Sequence, residues 1–396
     1  GLAWEGLFAT TARASHWPAR LAPATHAAEI RFDFRPGQVD ASALPRRELR
    51  RAFARVLGDG LDGIANRMEP WGWPPLRAAI ARAPVARGIA CDAQDVLVVG
   101  GAQQGLDRVA RALLDPGDAV ALEQPGYFGA NVAFASAGAV RIGVGVDEEG
   151  LRTDALARVL RSRRVKLVYT TPAVQAPTGV VQADARRAAL LALAEEHQTA
   201  IVEDDYDSEL RIGDPVIPAL KTRDDAGRVI YLGTFSKALF PALRIGYVVA
   251  ARPLQRRLAE MQACSGLGGD LLAQAALTDL LEDGVVERHV RRMRRRYAER
   301  LTLARAAFAE AMPAGASSIE PAGGTALWAS LPPGADAEAI RTDAAAAGIV
   351  YGRGEAWWID EGGAENLLLG IACADPDQIT EGIARLAAIV RRQTPG

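Results

Sequence analysis

The sequence predicts an α/β protein, in which a large three-layer α/β/α domain around a mostly parallel sheet is joined to a smaller α+β domain. Three observations lead to this fold class. The chain has 396 residues, enough to bury more than one compact core. Short apolar runs alternate with amphipathic helical patterns through most of the chain. After about residue 285, a long helical pattern and a different order of elements replace this alternation.

The alternation predicts the elements of the large domain. The predicted strands are residues 96–99, 119–123, 165–170, 200–203, 229–232 and 245–250. Helical patterns lie between the strands, with examples at residues 102–114, 151–161 and 183–197. Strands that read as near-continuous apolar runs are typical of a parallel sheet with helices on both faces.

The remaining elements predict the smaller domain. They are a helix over 285–311, a strand over 326–331, a helix over 336–347 and a closing helix over 376–392. Asp336 suits the start of its helix, because its carboxylate can accept from free first-turn N–H groups. Residues 1–30 are interpreted as an arm or lid. We therefore expect an N-terminal arm and part of the small domain in 1–45, the large domain in 46–285, and the C-terminal small domain in 286–396.

Composition limits the classes of function. The chain has 46 Lys and Arg against 48 Asp and Glu, a net charge of −2, so no nucleic-acid partner is expected. The one basic run, residues 291–297, is interpreted as the solvated face of the long inter-domain helix. No apolar run approaches the roughly 20 residues of a membrane span, and no signal segment opens the chain. We expect a cytoplasmic protein without membrane contact.

Cysteines and histidines indicate no site of their own. The cysteines are odd in number and far apart, which suggests no disulfide framework: Cys91, Cys264 and Cys373. The histidines show no metal-ligand spacing: His16, His26, His197 and His289. No metal is expected.

A lysine among hydroxyl side chains stands where a predicted strand ends. That strand runs into Thr234-Phe235-Ser236-Lys237, and Arg244 follows seven residues later. Lysine is almost never buried unless it is paired or used, but a desolvated lysine has a lowered pKa and can form a Schiff base with an aldehyde. Thr234, Ser236 and Arg244 offer donors for a phosphate. Together these residues indicate a site for pyridoxal 5'-phosphate (PLP).

An acidic cluster at a neighbouring strand end supplies the other parts of such a site. Asp204 can pair with the pyridine nitrogen, keeping it protonated so that the ring takes up electrons. Tyr206 suits the phenolic oxygen, and strand alternation puts it on the same side as Asp204, with Asp205 on the other. The carboxyl ends of parallel strands face one crevice, so these residues should meet Lys237.

Two further strand ends add predicted contacts to the cofactor. Gly101, Ala102 and Gln103 open a helix whose free N–H groups favour an anion. Tyr127 follows the strand at 119–123 and offers an aromatic ring that can stack on a planar one. The large domain is therefore interpreted as the PLP-binding domain.

These motifs resemble those of fold-type I PLP enzymes of the aspartate aminotransferase superfamily. The chain is most similar to the aminotransferase-like domain of MocR-type proteins, whose hallmarks EDDYDSE and GTFSK stand here at residues 203–209 and 233–237. Supporting matches, in the family's order, lie at residues 72–77, 101–104, 125–127, 177–179 and 239–247. The resemblance runs from about Phe34 to about Ile389.

The resemblance implies roles for individual residues. Lys237, Asp204 and Tyr206 are expected to be catalytic. The expected contacts of the cofactor are Gly101, Ala102, Gln103, Tyr127, Gln175, Asp204, Tyr206, Thr234, Ser236, Lys237 and Arg244. A homodimer with shared active sites is also implied, and Arg67 and residues 264–270 are the candidates for reaching the partner's site.

Several positions depart from the family's pattern around the substrate. Relatives carry an Arg that binds the substrate's α-carboxylate where this chain has Leu368, and an Asn where it has Ala176. Arg353 stands where relatives usually have Pro, and we predict it as a relocated carboxylate partner. Trp357 is predicted to line an enlarged substrate pocket, with packing inside the small domain as the alternative.

MocR-type regulators carry a winged-helix DNA-binding domain before the aminotransferase-like part. Only about 33 residues precede Phe34 here, too few for that fold. The chain is expected to be either a free-standing enzyme or a part of a longer protein, and its near-neutral charge favours the enzyme.

Three classes of function follow. The favoured one is an aminotransferase-like enzyme that acts on a small-molecule amine or amino acid through a Lys237 Schiff base. The second is a specialised biosynthetic PLP enzyme performing elimination, replacement or C–C bond formation on an unusual amino acid, which the loss of Arg at Leu368 makes a serious rival. The third is the ligand-sensing domain of a MocR-type transcription regulator.

Overall fold

Strands and helices alternate along the chain in the computed structural model, which describes residues 3–9, 12–13, 30–82, 88–212 and 217–395. The strands are β1 (Phe32–Phe34), β2 (Val96–Val99), β3 (Ala119–Gln124), β4 (Val140–Asp147), β5 (Gly150–Leu151), β6 (Val165–Thr170), β7 (Ala200–Asp205), β8 (Val229–Thr234), β9 (Gly246–Val249), β10 (Ser317–Ser318), β11 (Ala326–Ser330), β12 (Ile349–Arg353) and β13 (Asn366–Gly370). The α-helices are α1 (Trp4–Leu7), α2 (Arg46–Gly58), α3 (Leu61–Ile64), α4 (Pro74–Arg82), α5 (Ala102–Leu113), α6 (Phe128–Ser136), α7 (Thr153–Ser162), α8 (Asp184–Glu196), α9 (Arg252–Gly266), α10 (Leu271–Glu282), α11 (Val285–Ala311), α12 (Ala337–Ala346) and α13 (Pro376–Arg392).

The larger sheet has the strand order β2-β9-β8-β7-β6-β3-β4-β5. Strands β4, β3, β6, β7 and β8 run parallel to one another, and β9 pairs antiparallel with β8 and β2. The central strands β3, β6, β7 and β8 are buried along nearly their whole length, because helices cover both faces of the sheet. The predicted α/β fold class is confirmed.

The smaller sheet draws on both ends of the chain. Its strand order is β1-β12-β13-β11-β10, and β1 pairs parallel with β12, with Phe32 opposite Ile349. Residues before the large sheet therefore complete the sheet formed by the C-terminal part of the chain. The exact division into 1–45, 46–285 and 286–396 stays a prediction.

Helix ends agree closely with the sequence patterns. Helices α11 and α13 have the predicted bounds, and the Asp336 side chain accepts from the Ala339 amide at 2.9 Å, as an N-cap does. Helix α6 and strand β4 are among the elements that the sequence patterns did not predict. Helix α6 is largely apolar and lacks a polar stripe, and β4 is partly exposed near the sheet edge.

The basic run on α11 has a structural role that the sequence interpretation missed. The Arg294 guanidinium donates to the Glu209 carbonyl at 2.8 and 3.0 Å, and Arg296 pairs with Asp40 at 3.0 Å. Asp40 also pairs with Arg300 at 3.0 Å, and both side chains are almost fully buried. The long helix thus holds the segment after β1 through a buried ion pair, so its basic face is only partly solvated.

The described ranges contain no helix long and apolar enough to cross a membrane. They also contain no group of three or more His, Cys, Asp or Glu side chains able to hold a metal. His16, His26 and most of the predicted arm lie outside the described residues. His289 is buried beside Arg292, and this burial lowers the pKa of its imidazole to about 4.

Candidate active site

A cavity of about 280 Å³ opens where β7 and β8 end and α5 begins. Most of the predicted site residues line it: Ala102, Gln103, Tyr127, Asp204, Tyr206, Thr234, Ser236, Lys237, Arg244 and Trp357. Ala176 and Leu368, which mark departures from the family's pattern, lie on the same wall. Gly101, Gln175 and Arg353 are not among the lining residues. The parallel strand ends therefore bring together most of the predicted site, as their topology requires.

Lys237 reaches the cavity because the turn after β8 is anchored on both sides. The Phe235 amide donates to the Ile245 carbonyl at 3.1 Å, and the Phe235 ring lies 6.0 Å from that of Tyr247 in the core. Burial lowers the pKa of the Lys237 ammonium, while the nearby carboxylate of Asp207 acts in the opposite direction. The lysine is thus easier to deprotonate than a solvated one.

A cradle for an anion lies at one end of the cavity. Arg244 has φ 52°, and its Nη2 donates to the Gly100 carbonyl at 2.6 Å. Gly101 has φ +90°, a conformation that favours glycine, and a Cβ there would lie 3.0 Å from that Nη2. No side chain caps the start of α5, so its first amides are available. Helix amides, a guanidinium and the hydroxyls of Thr234 and Ser236 form a donor set that suits a phosphate.

Asp204 lies buried at the end of β7. Its Oδ2 accepts from the Tyr169 hydroxyl at 2.8 Å, while its Oδ1 has no hydrogen-bond partner in the described part of the chain. Burial raises the pKa of the Asp204 carboxyl to about 7, and the Tyr169 hydrogen bond acts against this rise. A cationic N–H in the cavity would satisfy the free oxygen and favour the ionised form.

Strand alternation puts Tyr206 on the same side as Asp204 and Asp205 on the opposite side. Tyr206 lines the cavity with Asp204, whereas the Asp205 carboxylate accepts from the Tyr231 hydroxyl and is absent from the cavity wall. This is the arrangement that the alternation predicts. The assignment of Tyr206 to a phenolic oxygen stays a prediction.

Aromatic side chains form one wall. The Tyr127 hydroxyl donates to Gln103 Oε1 at 3.3 Å, and Gln103 Nε2 donates to the Gly129 carbonyl at 2.8 Å. Phe128 contacts the Trp357 ring edge-on, with centroids 5.5 Å apart. Trp357 therefore lines the cavity and also packs against other side chains, so the predicted roles in the pocket and in packing are compatible.

Gln175 lies behind the cavity wall, so its role as a cofactor contact stays a prediction. It is 1% exposed, and its Nε2 donates to the Pro125 carbonyl at 2.8 Å. Its Nε2 also donates to Glu123, which accepts from the Thr171 hydroxyl at 2.7 Å. The chain turns after β6, so the side chain points into this buried network. Gln175 and Glu123 support the loop that presents Ala176.

Arg353 likewise does not line the cavity, and its role as a carboxylate partner stays a prediction. It is the last residue of β12, opposite Leu367 of β13. The neighbouring residue of β13, Leu368, is the one that lines the cavity. Because side chains alternate across a strand, Leu367 and Leu368 face opposite sides of the sheet. The wall at this point is therefore formed by the apolar side chain of Leu368. The structure does not bring Arg353 to the substrate side.

The cavity also contains a carboxylate that the sequence analysis did not single out. Asp207 lines the wall, is 4% exposed, and its Oδ1 has no hydrogen-bond partner within the described ranges. It belongs to the acidic cluster already recognised, but alternation continued past the end of β7 would put it on the side of Asp205, and the backbone there no longer follows the strand. Phe128 is a second lining residue that was missed, since it reads as a simple continuation of the motif around Tyr127.

The residues present fit PLP. The free oxygen of Asp204 suits a protonated ring nitrogen, and the cradle beside Gly101 suits the phosphate. Lys237 supplies an amine for the aldehyde, and Tyr127 supplies an aromatic ring on the same wall.

Comparison with known proteins agrees with this chemistry. Residues 45–386 match the family described as aminotransferase class I and II. The chain is 35% identical over 329 residues to aromatic-amino-acid aminotransferase 1 of Thermococcus litoralis, a match that covers 81% of this chain and 79% of the relative. It is 39% identical over 271 residues to the probable rhizopine catabolism regulatory protein MocR of Rhizobium meliloti, a match that covers 68% of this chain but only 54% of the relative.

A solved structure extends the likeness to the whole chain. The α-aminoadipate aminotransferase LysN of Thermus thermophilus, complexed with N-(5'-phosphopyridoxyl)-L-leucine, has a TM-score of 0.90 at 31% identity, with 99% of each chain covered. Amino-acid substrates are typical of such aminotransferases. The matches confirm the predicted dependence on PLP and the predicted aminotransferase activity. The chain belongs to the class I and II aminotransferases, a family of PLP-dependent enzymes.

Proposed function

We propose that this chain moves an amino group between an amine donor and a carbonyl acceptor, with PLP held at Lys237 and Asp204. The observation that carries the proposal is the free oxygen of Asp204. Tyr169 holds the other oxygen at 2.8 Å, and Oδ1 is buried without a partner in the described ranges, on a wall shared with Lys237. An unpaired buried carboxylate is costly, and a protonated ring nitrogen would remove that cost.

When bound, PLP supplies an aldehyde that reacts with amines and a ring that withdraws electrons from the reacting carbon. Lys237 would bind this aldehyde, and its lowered pKa suits an amine that accepts and returns a proton near neutral pH. Thr234, Ser236 and Arg244 would hold the phosphate. The Tyr206 hydroxyl is the proposed donor to the phenolic oxygen.

We also propose that the protein forms a homodimer through the segments around Arg67 and Leu267. The Arg67 guanidinium pairs with Glu69 at 3.0 Å, and a Cβ at Gly268 would lie 2.8 Å from the Glu69 carbonyl oxygen, so the two segments adjoin. Met68 is 66% exposed and Leu267 is 59% exposed. Exposed apolar side chains on two adjoining segments support coverage by a second copy. Sedimentation should give a dimer, and a monomer would contradict this part of the proposal.

Borohydride reduction tests the lysine directly. The chain has only three lysines, Lys166, Lys221 and Lys237. Peptide mapping of the reduced protein should find the pyridoxyl group on Lys237, and Lys237→Ala should lose both the adduct and the visible absorbance. Lys166→Ala is the matched control, because Lys166 does not line the cavity and instead pairs with Asp118 at 2.6 Å. A reduced adduct at this site in Lys237→Ala would contradict the assignment.

Half-reactions test the transfer. An amine added to the PLP-loaded protein should release one equivalent of carbonyl product, and a carbonyl acceptor should then restore the original spectrum. Product release without this reversal would favour elimination or replacement chemistry. PLP binding without turnover of any donor would favour the ligand-sensing alternative.

A further inference from the structure

The charged side chains that line the cavity leave one charge without a role in holding the cofactor. The described lining residues include four such side chains, Lys237, Arg244, Asp204 and Asp207. Under the proposed function, Arg244 serves the phosphate, Asp204 the ring nitrogen and Lys237 the aldehyde. Asp207 is the side chain left without a role in holding the cofactor, and its carboxylate is negative when ionised.

Asp207 is built into the wall. It is 4% exposed, and its Oδ1 accepts no hydrogen bond from any described residue. A Cβ at Gly324 would lie 2.8 Å from its Oδ2, so the segment that enters β11 packs directly over the carboxylate. Because Gly323, Gly324 and Thr325 also line the cavity, Asp207 lies where this segment meets the cavity.

A cluster of apolar side chains forms another part of the wall. Ala176, Trp357 and Leu368 belong to one buried cluster, and Phe128 packs edge-on against Trp357 at 5.5 Å. Leu368 is 2% exposed and pairs across the sheet with Trp328, another member of the cluster. No described residue of this part of the wall offers a cation.

We infer that Asp207 and the apolar cluster of Ala176, Trp357 and Leu368 select a primary amine that has an apolar body and no carboxylate on the carbon that bears the amine. The inference rests on the proposed function. The reaction is then R₂CH–NH₂ + R'₂C=O → R₂C=O + R'₂CH–NH₂, in which the nitrogen and three hydrogens (two from the amine and one from the carbon that bears it) pass to the acceptor in exchange for oxygen. The acceptor faces the same wall, so we expect an aldehyde or ketone without an adjacent carboxylate.

The physical reason is the absence of a partner for a carboxylate on the described wall. A carboxylate carried into this cavity would lose its hydration, meet no guanidinium beyond Arg244 among the described lining residues, and face the charge of Asp207. An unpaired ion in such surroundings is strongly disfavoured. We expect discrimination on the order of 100-fold against the carboxylate.

The test compares 2-phenylethylamine with phenylalanine, which differ only in the carboxylate. The dissociation constant of each is measured from the change in visible absorbance of the PLP-loaded protein, and product release is followed separately. The measurement is made at pH 8.5. Burial raises the pKa of the Asp207 carboxyl to about 7, although Lys237 acts against this rise, so the group is ionised at that pH. The amine should bind about 100-fold more tightly.

Two variants connect the discrimination to named residues. Leu368→Arg should lower the dissociation constant of phenylalanine by about tenfold or more, because a guanidinium can pair with the carboxylate. Leu368→Met is the matched control and should leave the ratio of the two constants unchanged. Should Leu368→Arg fail to fold, Asp207→Asn removes the opposing charge and should reduce the ratio by about tenfold.

The experiments distinguish a failure of the proposed function from a failure of this inference alone. Absence of PLP from Lys237 in the reduction experiment would overturn the proposed function and the inference together. With PLP in place, phenylalanine binding as tightly as 2-phenylethylamine would overturn the inference alone. An unchanged ratio in a folded Leu368→Arg or Asp207→Asn protein would likewise overturn the assignment of selectivity to this wall.

Discussion

Replacing Asp204 by asparagine removes a charge that the cofactor-free fold holds in a buried position. The Oδ1 atom lacks a hydrogen-bond partner in the described residues, while Tyr169 binds the other oxygen. Asparagine keeps an acceptor for Tyr169 but cannot ionise. We expect Asp204→Asn to stabilise the cofactor-free protein at alkaline pH and to destabilise the PLP-loaded protein, which loses its partner for the ring nitrogen.

The magnitude follows from the pKa of Asp204, which burial raises from 3.8 to about 7. Each pKa unit is worth about 1.36 kcal/mol, so the ionised carboxylate costs the cofactor-free fold about 4 kcal/mol. Below about pH 4 the carboxyl group is protonated in both the folded and unfolded states, and the cost is absent. Between about pH 4 and 7 the folded protein keeps a proton that the unfolded chain has released, so stability falls as pH rises.

Urea denaturation of the cofactor-free proteins at pH 5 and pH 8 measures this difference. Asp204→Asn should have a larger free energy of unfolding than wild type, and this stabilisation should be several kcal/mol greater at pH 8 than at pH 5. Asp207 remains in both proteins, so its own titration largely cancels. Asp205→Asn is the control, because Asp205 faces Tyr231 on the other side of β7. An equal advantage at both pH values would refute the reasoning.

Three further predictions concern the cradle, the inter-segment ion pair and one backbone position. Arg244→Gln should weaken PLP binding by about tenfold or more, measured by absorbance titration, because the charged donor at the cradle is lost; an unchanged affinity would contradict the phosphate assignment. Asp40→Asn should lower the free energy of unfolding by about 3 kcal/mol, because Arg300 keeps its buried charge without a carboxylate; a loss within error in urea denaturation would count against it. Gly72→Ala should cost about 2 kcal/mol or more, since φ is +94° and the added Cβ would lie 2.4 Å from Val98 Cβ; an unchanged melting temperature would exclude that strain.

Much of the site could be predicted because it depends on local rules. The apolar runs place β7 and β8 side by side through the parallel topology, and alternation along β7 separates Asp204 and Tyr206 from Asp205. The Gly101 turn and the start of α5 follow from a glycine at φ +90° before a helical pattern. These features depend on neighbours in sequence, so the residue pattern is sufficient.

The directions of the Gln175 and Arg353 side chains could not be predicted, because both residues lie where those rules end. After β6 the chain turns, and the side chain of Gln175 is drawn into the network around Glu123. At the end of β12, the pairing of Arg353 with Leu367 leaves Leu368 as the residue on the cavity wall. Comparison with a family pattern cannot supply either direction, since each depends on the register of a particular loop or strand pair.

The sequence by itself determined the order of the elements, the buried parallel sheet and the chemical groups that a PLP site needs, because hydrophobic periodicity and strand-end motifs are local properties. Only the tertiary structure decided which groups share the substrate side of the cavity. Asp207 meets the segment before β11 there, and Leu368 of β13 joins Ala176 and Trp357 in one cluster. Those contacts join parts of the chain that are distant in sequence. Their distances are set by how the small sheet packs against the large domain, which no local pattern encodes.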